Sequence, residues 1–491
     1  MARDALPVVE DLEACFEPPP PERGVFANRT LNLRSIRAIG FDMDYTLVHY
    51  RVEDWERRAY YHCKQRLLDA GWPVGELEFD PRVVSLGLVL DLELGNVVKA
   101  NRFGYVKKAA HGTRMLTYEE QREVYSRVLV DLAEPRWVFM NTLFGLSEGC
   151  MYAQAIDLLD AGRMPQGIGY QELYKRVRSS IDETHMEGTL KAEIISDPDR
   201  FVVPDPELPL ALLDLKHAGK KLMVITNSEW SYTKEMMRYA FDPHLPKGMT
   251  WRELFDIVVV SAAKPGFFNQ RRTLFEVVDD EQALLRPARA IPPGSVCFGG
   301  DASYVEDSLG VPGEEILYVG DHIFADVHVS KSMLRWRTAL VVRELEEELR
   351  ALEEFKPKQR ELTELMDEKE RVEHRYSQIR LHLQRKERGY GPQVEEAPSE
   401  LKEMMQRARS EVLDLDARIA PLAKQAGELA NPRWGLLMRA GNDKSHLARQ
   451  IERYADVYMS RVSNLLELTP FVYMRSPRGS LPHDSGPAGG A

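Results

Sequence analysis

Cysteine is scarce in this 491-residue chain: Cys15, Cys63, Cys150 and Cys297 are scattered, with no CxxC spacing. A disulfide framework and a cysteine zinc site are thereby disfavoured, and a reducing, cytoplasmic compartment fits. No run of about 18 apolar residues exists, so no membrane-spanning helix is expected. The opening residues, MARDALPVVEDLEACFEPPPPERG, have no basic stretch followed by an apolar one, so no secretory leader is expected. Positive charge is in deficit. A net charge of −12 disfavours a nucleic-acid partner but leaves room for a small anion in a locally positive pocket. No GxGxxG follows the first apolar run, which argues against a nicotinamide site. No internal repeat is visible.

What the chain does contain is 44% hydrophobic residues, enough for a sizeable core. Short apolar runs at 36–41, 222–225, 257–260, 316–319 and 338–342 recur along it, the first four each closing on a polar cluster. Helical patterns lie between several of them, as at 208–219 and 233–239. Strands alternating with helices predict an α/β fold built on a doubly wound parallel sheet, with ligands beyond the carboxyl ends of the strands.

The stretch between the first two runs is too long for a simple crossover. It predicts an inserted cap domain at 55–200, with the catalytic core at 30–54 and 201–343. Residues 1–29 read as a tail or strap. Leu365, Val372, Tyr376, Ile379 and Leu383, then Leu401, Met405, Ala408, Val412, Leu415 and Ile419, form two apolar stripes on charged backgrounds. They predict a coiled-coil-like helical hairpin at 344–425. Residues 426–475 are expected to return to the core as helices. The Gly-, Pro- and Ser-rich end, 476–491, is expected to be disordered.

Chemistry concentrates at the run ends. FDMDYTL at 41–47 places Asp42 and Asp44 two residues apart directly after a buried strand. One carboxylate can attack a phosphoryl group, and the second can protonate the leaving oxygen and then activate water. Alone, such a pair is more often a solvated acidic turn. Thr226, Asn227 and Ser228 follow the second run, where hydroxyls and backbone N–H groups can hold phosphate oxygens. Lys264 follows the third and can neutralise charge on phosphoryl oxygens. GDHIFAD at 320–326 follows the fourth and supplies Asp321 and Asp326. Asp42 and Asp321, at adjacent strand ends, would give a hard cation such as Mg²⁺ two carboxylates. Asp326 would stand behind them, on Lys264 or on a metal-bound water.

In this order, the four clusters resemble the motifs of the haloacid dehalogenase superfamily. That resemblance makes Asp42 the nucleophile, Asp44 the acid/base and the Asp44 carbonyl a third Mg²⁺ ligand. GFDMDYTL, AHGTR at 110–114, NTLF at 141–144, GDHIFAD and RYADVY at 453–458 are similar to cytosolic IMP/GMP-preferring purine 5′-nucleotidases over residues 24–345 and 432–475. The resemblance implies that VRSSIDETHMEGTLK at 177–191 recognises substrate. Phe144 would stack on the base, Arg178, Asp182 and His185 would read it, and Lys191 would reach the phosphate.

Asn141, Phe324, Gln450, Arg453 and Tyr454 match part of that family's effector site. Asp131 and Ser332 stand where the family carries cations, so activation by an effector is not expected to follow. The hairpin is longer than the family's link.

The implied reaction is Mg²⁺-dependent hydrolysis of a purine nucleoside 5′-monophosphate, with phosphoryl transfer to a nucleoside as a further outcome. The hairpin's seam suits self-association as a homo-oligomer or a partner helix. Two alternatives stay open at this point: a phosphatase for another small metabolite, and a coiled-coil interaction protein with a vestigial phosphatase core.

Overall fold

The computed structural model describes residues 17–186 and 188–477; the side chains of His185 and Met186 fall outside the described set. Residues 1–16 and 478–491, which hold most of the two expected tails, also lie outside it. The described chain divides into two compact units, one formed by residues up to 55 with 185–346 and 450–476, the other by 56–184 with 347–449.

The first unit is built on a ten-stranded sheet. Ala38–Phe41 lies in its interior, parallel to Lys221–Ile225 on one side and Ile316–Gly320 on the other. Ile257–Val260 and Val296–Gly299 extend the parallel block one way, Arg337–Val341 and Val457–Met459 the other. Val25–Ala27 closes one edge antiparallel, and Leu274–Val277 with Leu285–Ala288 closes the opposite edge. The α/β reading of the sequence is therefore correct, and its physical basis is plain. Ala38–Phe41, Ile257–Val260 and Ile316–Gly320 are buried at every position. Strands covered on both faces read as unbroken apolar runs rather than alternating ones.

Register decides what meets at the sheet's carboxyl edge. Phe41 pairs with both Val224 and Val319. Asp42 therefore emerges level with Ile225 and Gly320, and Thr226 and Asp321 follow one residue later on the flanking strands. Gly40 makes a second contribution: a Cβ there would stand 2.8 Å from the Tyr318 ring. Only glycine lets that buried ring lie across the central strand.

The second unit holds a five-stranded antiparallel sheet in the order Arg114–Met115, Val106–His111, Asn96–Ala100, Val89–Asp91, Trp137–Phe139. Its helices include Leu146–Asp160 and the long pair Leu345–Arg388 and Pro398–Gly427. That pair is the expected hairpin. Leu365, Val372, Ala408, Leu415 and Ile419 form one buried layer of its seam, and Ile379, Leu383 and Leu401 another. Lys369 with Asp416 (2.6 Å) and Lys402 with Glu387 (3.1 Å) pair across it, fixing the antiparallel register. Among the described residues no helix is long and apolar enough to cross a membrane.

Candidate active site

Asp42 leaves its strand with its backbone N–H donating to Val319 O at 2.8 Å. Asp42 and Asp44 are partly open, whereas Met43 between them is buried. Alternation thus puts both carboxylates on one accessible side. The turn that follows carries strain: Tyr45, bulky and buried, sits at φ 55°, a conformation that non-glycine side chains rarely adopt.

Lys264 enters from the loop after Ile257–Val260, and its ammonium is almost wholly buried. Nζ lies 2.8 Å from Asp42 Oδ1 and 2.7 Å from Asp326 Oδ1, and it donates to Tyr318 Oη at 3.1 Å. Tyr318 in turn donates to Ile225 O at 2.9 Å. The loop is clamped by Asn227, whose Nδ2 donates to Lys264 O (3.2 Å) and whose Oδ1 accepts from Lys264 N (2.6 Å). The Asn227 side-chain amide is thus engaged by the lysine's backbone, which leaves its backbone N–H as the group read from the sequence as a phosphate contact.

Burial pushes Asp42 up to about 6, against the pull of Lys264. Asp321 is raised well above the ordinary carboxylate range, first by burial and then by the charges of Asp42 and Asp326. Lys264 is held protonated by Asp326 and Asp42 despite its burial. Carboxylate oxygens of Asp42, Asp321 and Asp326 lie within 4.8 Å of one another. Three acids share one lysine here. Such a set of hard oxygen donors, whose joint ionisation one lysine does not offset, fits a small divalent cation. Gly320 is needed for that closeness, since a Cβ on it would stand 2.5 Å from Asp326 Oδ2.

Asp44 is kept out of this cluster by its own partners. Ser228 Oγ donates to Oδ2 and Tyr50 Oη to Oδ1, both at 2.6 Å. Tyr232 donates to Tyr50 at 3.0 Å. Lys191 Nζ donates to Ser228 Oγ at 3.2 Å and pairs with Glu229 at 2.8 Å. Burial raises the Asp44 pKa above its ordinary value, with Lys191 opposing. Ser228, like Asn227, therefore uses its side chain internally. Thr226, fully buried, accepts from Ser228 N at 3.0 Å.

In the second unit, Arg178 Nη1 lies 2.8 Å from Glu148, and its Nε lies 3.1 Å from Asp182 one helical turn away. Phe144 sits in the turn Leu143–Gly145, just ahead of helix Leu146–Asp160. The side chain of His185 lies outside the described residues. Of the expected effector residues, Phe324 and Tyr454 are neighbours, with ring centroids 6.0 Å apart, and His328 joins them 4.3 Å from Tyr454. Gln450 is buried, Arg453 lies over the Tyr454 ring, and Asn141 belongs to the other unit.

Sequence reasoning passed over Tyr50, Tyr232, Tyr318, Glu148 and Glu229. Tyr318 stands three residues before Asp321 and Tyr50 six after Asp44, which is a faint signal for a hydroxyl near those carboxylates.

Comparison with known proteins identifies the family. The model of the 5′-nucleotidase family matches residues 25–486. A 5′-nucleotidase domain-containing protein of Dictyostelium discoideum is 27% identical over 475 residues, covering 94% of this chain and 74% of the relative. Among solved structures, an archaeal β-phosphoglucomutase from Pyrococcus is 12% identical, with a TM-score of 0.28 over 62% of this chain and 86% of that one. A predicted phosphoglycolate phosphatase from Haemophilus somnus is 14% identical, with a TM-score of 0.27 over 63% and 86%. The chain belongs to the 5′-nucleotidase family and is a phosphoric monoester hydrolase.

Proposed function

We propose that this member of the 5′-nucleotidase family hydrolyses purine nucleoside 5′-monophosphates through an aspartyl-phosphate on Asp42. The observation that carries the chemistry is the division of labour between two aspartates. Asp42 shares its carboxylate with Lys264 at 2.8 Å, while Asp44 is held by Ser228 and Tyr50. Asp42 attacks phosphorus and the ester P–O bond breaks. Asp44, its protonated form favoured by burial, gives its proton to the leaving 5′-oxygen. It then takes a proton from water as that water attacks the aspartyl-phosphate, releasing phosphate and restoring Asp42. Lys264 balances charge on the phosphoryl oxygens, with Thr226 and Lys191 as further phosphate contacts. A Mg²⁺ held by Asp42, Asp321 and the Asp44 carbonyl, with Asp326 behind, would supply charge neutralisation when bound. A nucleoside replacing water in the second half-reaction would make the enzyme a phosphotransferase.

For the base, the reading rests on Phe144 as the stacking ring and on Arg178 and Asp182 as polar readers, with His185 beside them in sequence. A six-oxo purine offers an acceptor to a guanidinium and donors to a carboxylate. Glu148 bears on this. Arg178 already has two carboxylate partners, which orients its fork but occupies part of it. That pairing favours, as a second reading, a phosphatase for another small phosphorylated metabolite.

Phosphate release from IMP, GMP, AMP, CMP and a set of sugar phosphates, with and without Mg²⁺, separates the two readings. IMP and GMP are expected to lead. Preference for a sugar phosphate over every purine monophosphate overturns the substrate assignment. Turnover by Asp42→Asn overturns the mechanism.

A further inference from the structure

The second unit contains a cleft with no part in the chemistry above. Its volume is about 660 Å³, and it lies between the base of the long helical hairpin and the five-stranded sheet. Pockets for small ligands commonly span about 300–1,000 Å³. Leu352, Leu362 and Leu429 supply an apolar wall. Lys99, Lys108 and Arg439 supply charge, and among the described residues no carboxylate side chain lines the cleft.

The arrangement of the lysines is the unusual feature. Lys99 and Lys108 sit directly opposite one another on paired antiparallel strands. Like charges in that register repel. Among the described residues neither ammonium pairs directly with a carboxylate; Glu348 acts on Lys99 and Glu428 on Lys108 through space. Lys99 Nζ donates to Trp434 O (2.7 Å) and Leu436 O (2.5 Å), and Lys108 Nζ to Arg433 O (3.1 Å) and Gly427 O (3.4 Å). An ammonium has three N–H groups, so each lysine keeps one beyond these bonds. Carbonyls fix the two cations in place without cancelling their charge.

The nearest acids are engaged or exposed. Glu348 accepts from the backbone N–H groups of Leu437 and Met438, and Glu428 is exposed. Burial pulls the Lys99 pKa down to about 8 and lowers that of Lys108, so a counter-anion would relieve both. Arg439, exposed at the cleft, adds a guanidinium suited to an oxyanion.

We propose that this cleft binds a small amphipathic anion: an oxyanion head on Lys99, Lys108 and Arg439, and an apolar body against the leucines of the hairpin base. The site shares no residue with the sheet-edge aspartate cluster and draws part of its wall from the hairpin, so it gives that element a ligand-binding role.

The test is calorimetric titration of the full chain with 1-octanesulfonate, which phosphatase chemistry cannot hydrolyse. Parallel titrations use sulfate and 1-octanol. Wild-type protein is expected to bind one octanesulfonate at this cleft, with sulfate far weaker and octanol not measurable. Arg439→Gln leaves every lysine–carbonyl bond intact and is expected to weaken binding about tenfold, the loss of one charge-assisted contact. Lys108→Met is expected to weaken it at least as much. Both variants are expected to keep wild-type turnover of p-nitrophenyl phosphate, which shows that they are folded. No saturable binding, equal affinity in both variants and wild type, or octanol binding as tightly as octanesulfonate would each overturn the proposal.

Discussion

At the scale of single residues, Lys264 carries the heaviest electrostatic duty. Among the described residues it is the cation paired with both Asp42 and Asp326, and Asp321 lies in the same cluster. Removing one partner of a buried charge pair costs about 3–5 kcal/mol, because the remaining charges stay desolvated. Lys264→Met is therefore expected to abolish turnover and to lower unfolding free energy by about that amount. Added Mg²⁺ is expected to raise the melting temperature of the variant more than that of wild type, since a bound cation replaces the missing charge. Equal Mg²⁺ shifts for the two proteins would show that Lys264 and the cation do not share the cluster.

Ser228 presents a finer case. Its hydroxyl is one of two donors on the Asp44 carboxyl. Loss of a hydrogen bond to a charged or reacting group is worth about 1.5–3 kcal/mol, or roughly ten- to hundredfold in rate. Ser228→Ala is expected to slow hydrolysis of a nucleoside monophosphate within that range. The effect on p-nitrophenyl phosphate, whose leaving group needs little protonation, is expected to be smaller. Equal losses on both substrates would place Ser228 on the phosphate rather than on the acid.

At the scale of elements, one helix is capped by another. Helix Leu146–Asp160 starts at Gly145, which has no side chain to satisfy the first N–H groups. Glu56, on helix Val52–Asp69, does this instead: its Oε2 accepts from Ser147 N at 2.7 Å. Glu56 is fully buried, and burial pushes its pKa up to about 8 against the favourable backbone bond. The folded state therefore holds a proton that the unfolded chain gives up near 4.5. Between those values the folded form binds more protons, so stability falls as pH rises through that window and levels off above about 8. Glu56→Gln keeps the acceptor and removes the titration. Urea unfolding is expected to show similar stability for variant and wild type near pH 4.5, and a variant more stable by about 2–4 kcal/mol at pH 9. A variant no more stable than wild type at pH 9 would mean that folding does not raise the Glu56 pKa.

The same elements show what could be read from the chain alone. Strands such as Ile257–Val260 and Ile316–Gly320 were legible because they are buried on both faces and stop abruptly at polar clusters. The hairpin seam was legible because its period repeats over many turns. Tyr50, Tyr232 and Tyr318 were not legible. An aromatic in a buried strand or helix reads as core, and where its hydroxyl points is set by register with strands far away in sequence. Glu56 and Glu148 escaped for a related reason: their partners, Ser147 and Arg178, lie 91 and 30 residues further along the chain.

At the scale of the whole molecule, the hairpin can be divided by what each part holds. Near its base, Glu348 accepts from Leu437 and Met438, and Lys99 holds Trp434 and Leu436, tying the returning chain to the five-stranded sheet. Farther out, the layers of Leu365, Val372, Ala408, Leu415 and Ile419, then of Ile379, Leu383 and Leu401, pack, among the described residues, with other hairpin residues. The aspartates, Lys264 and Thr226 all belong to the other unit. Replacing residues 377–407 with a short Gly-Ser turn removes the outer layer and keeps the register set by Lys369 and Asp416. The shortened protein is expected to retain phosphatase turnover within about twofold, because no group assigned to the chemistry is touched. Its unfolding midpoint is expected to change little, since the layer of Leu365, Val372, Ala408, Leu415 and Ile419 still closes the helix pair. Loss of self-association on light scattering, with turnover intact, would assign the outer hairpin to assembly. Loss of turnover in a protein whose unfolding midpoint is unchanged would instead show that the outer hairpin acts on catalysis.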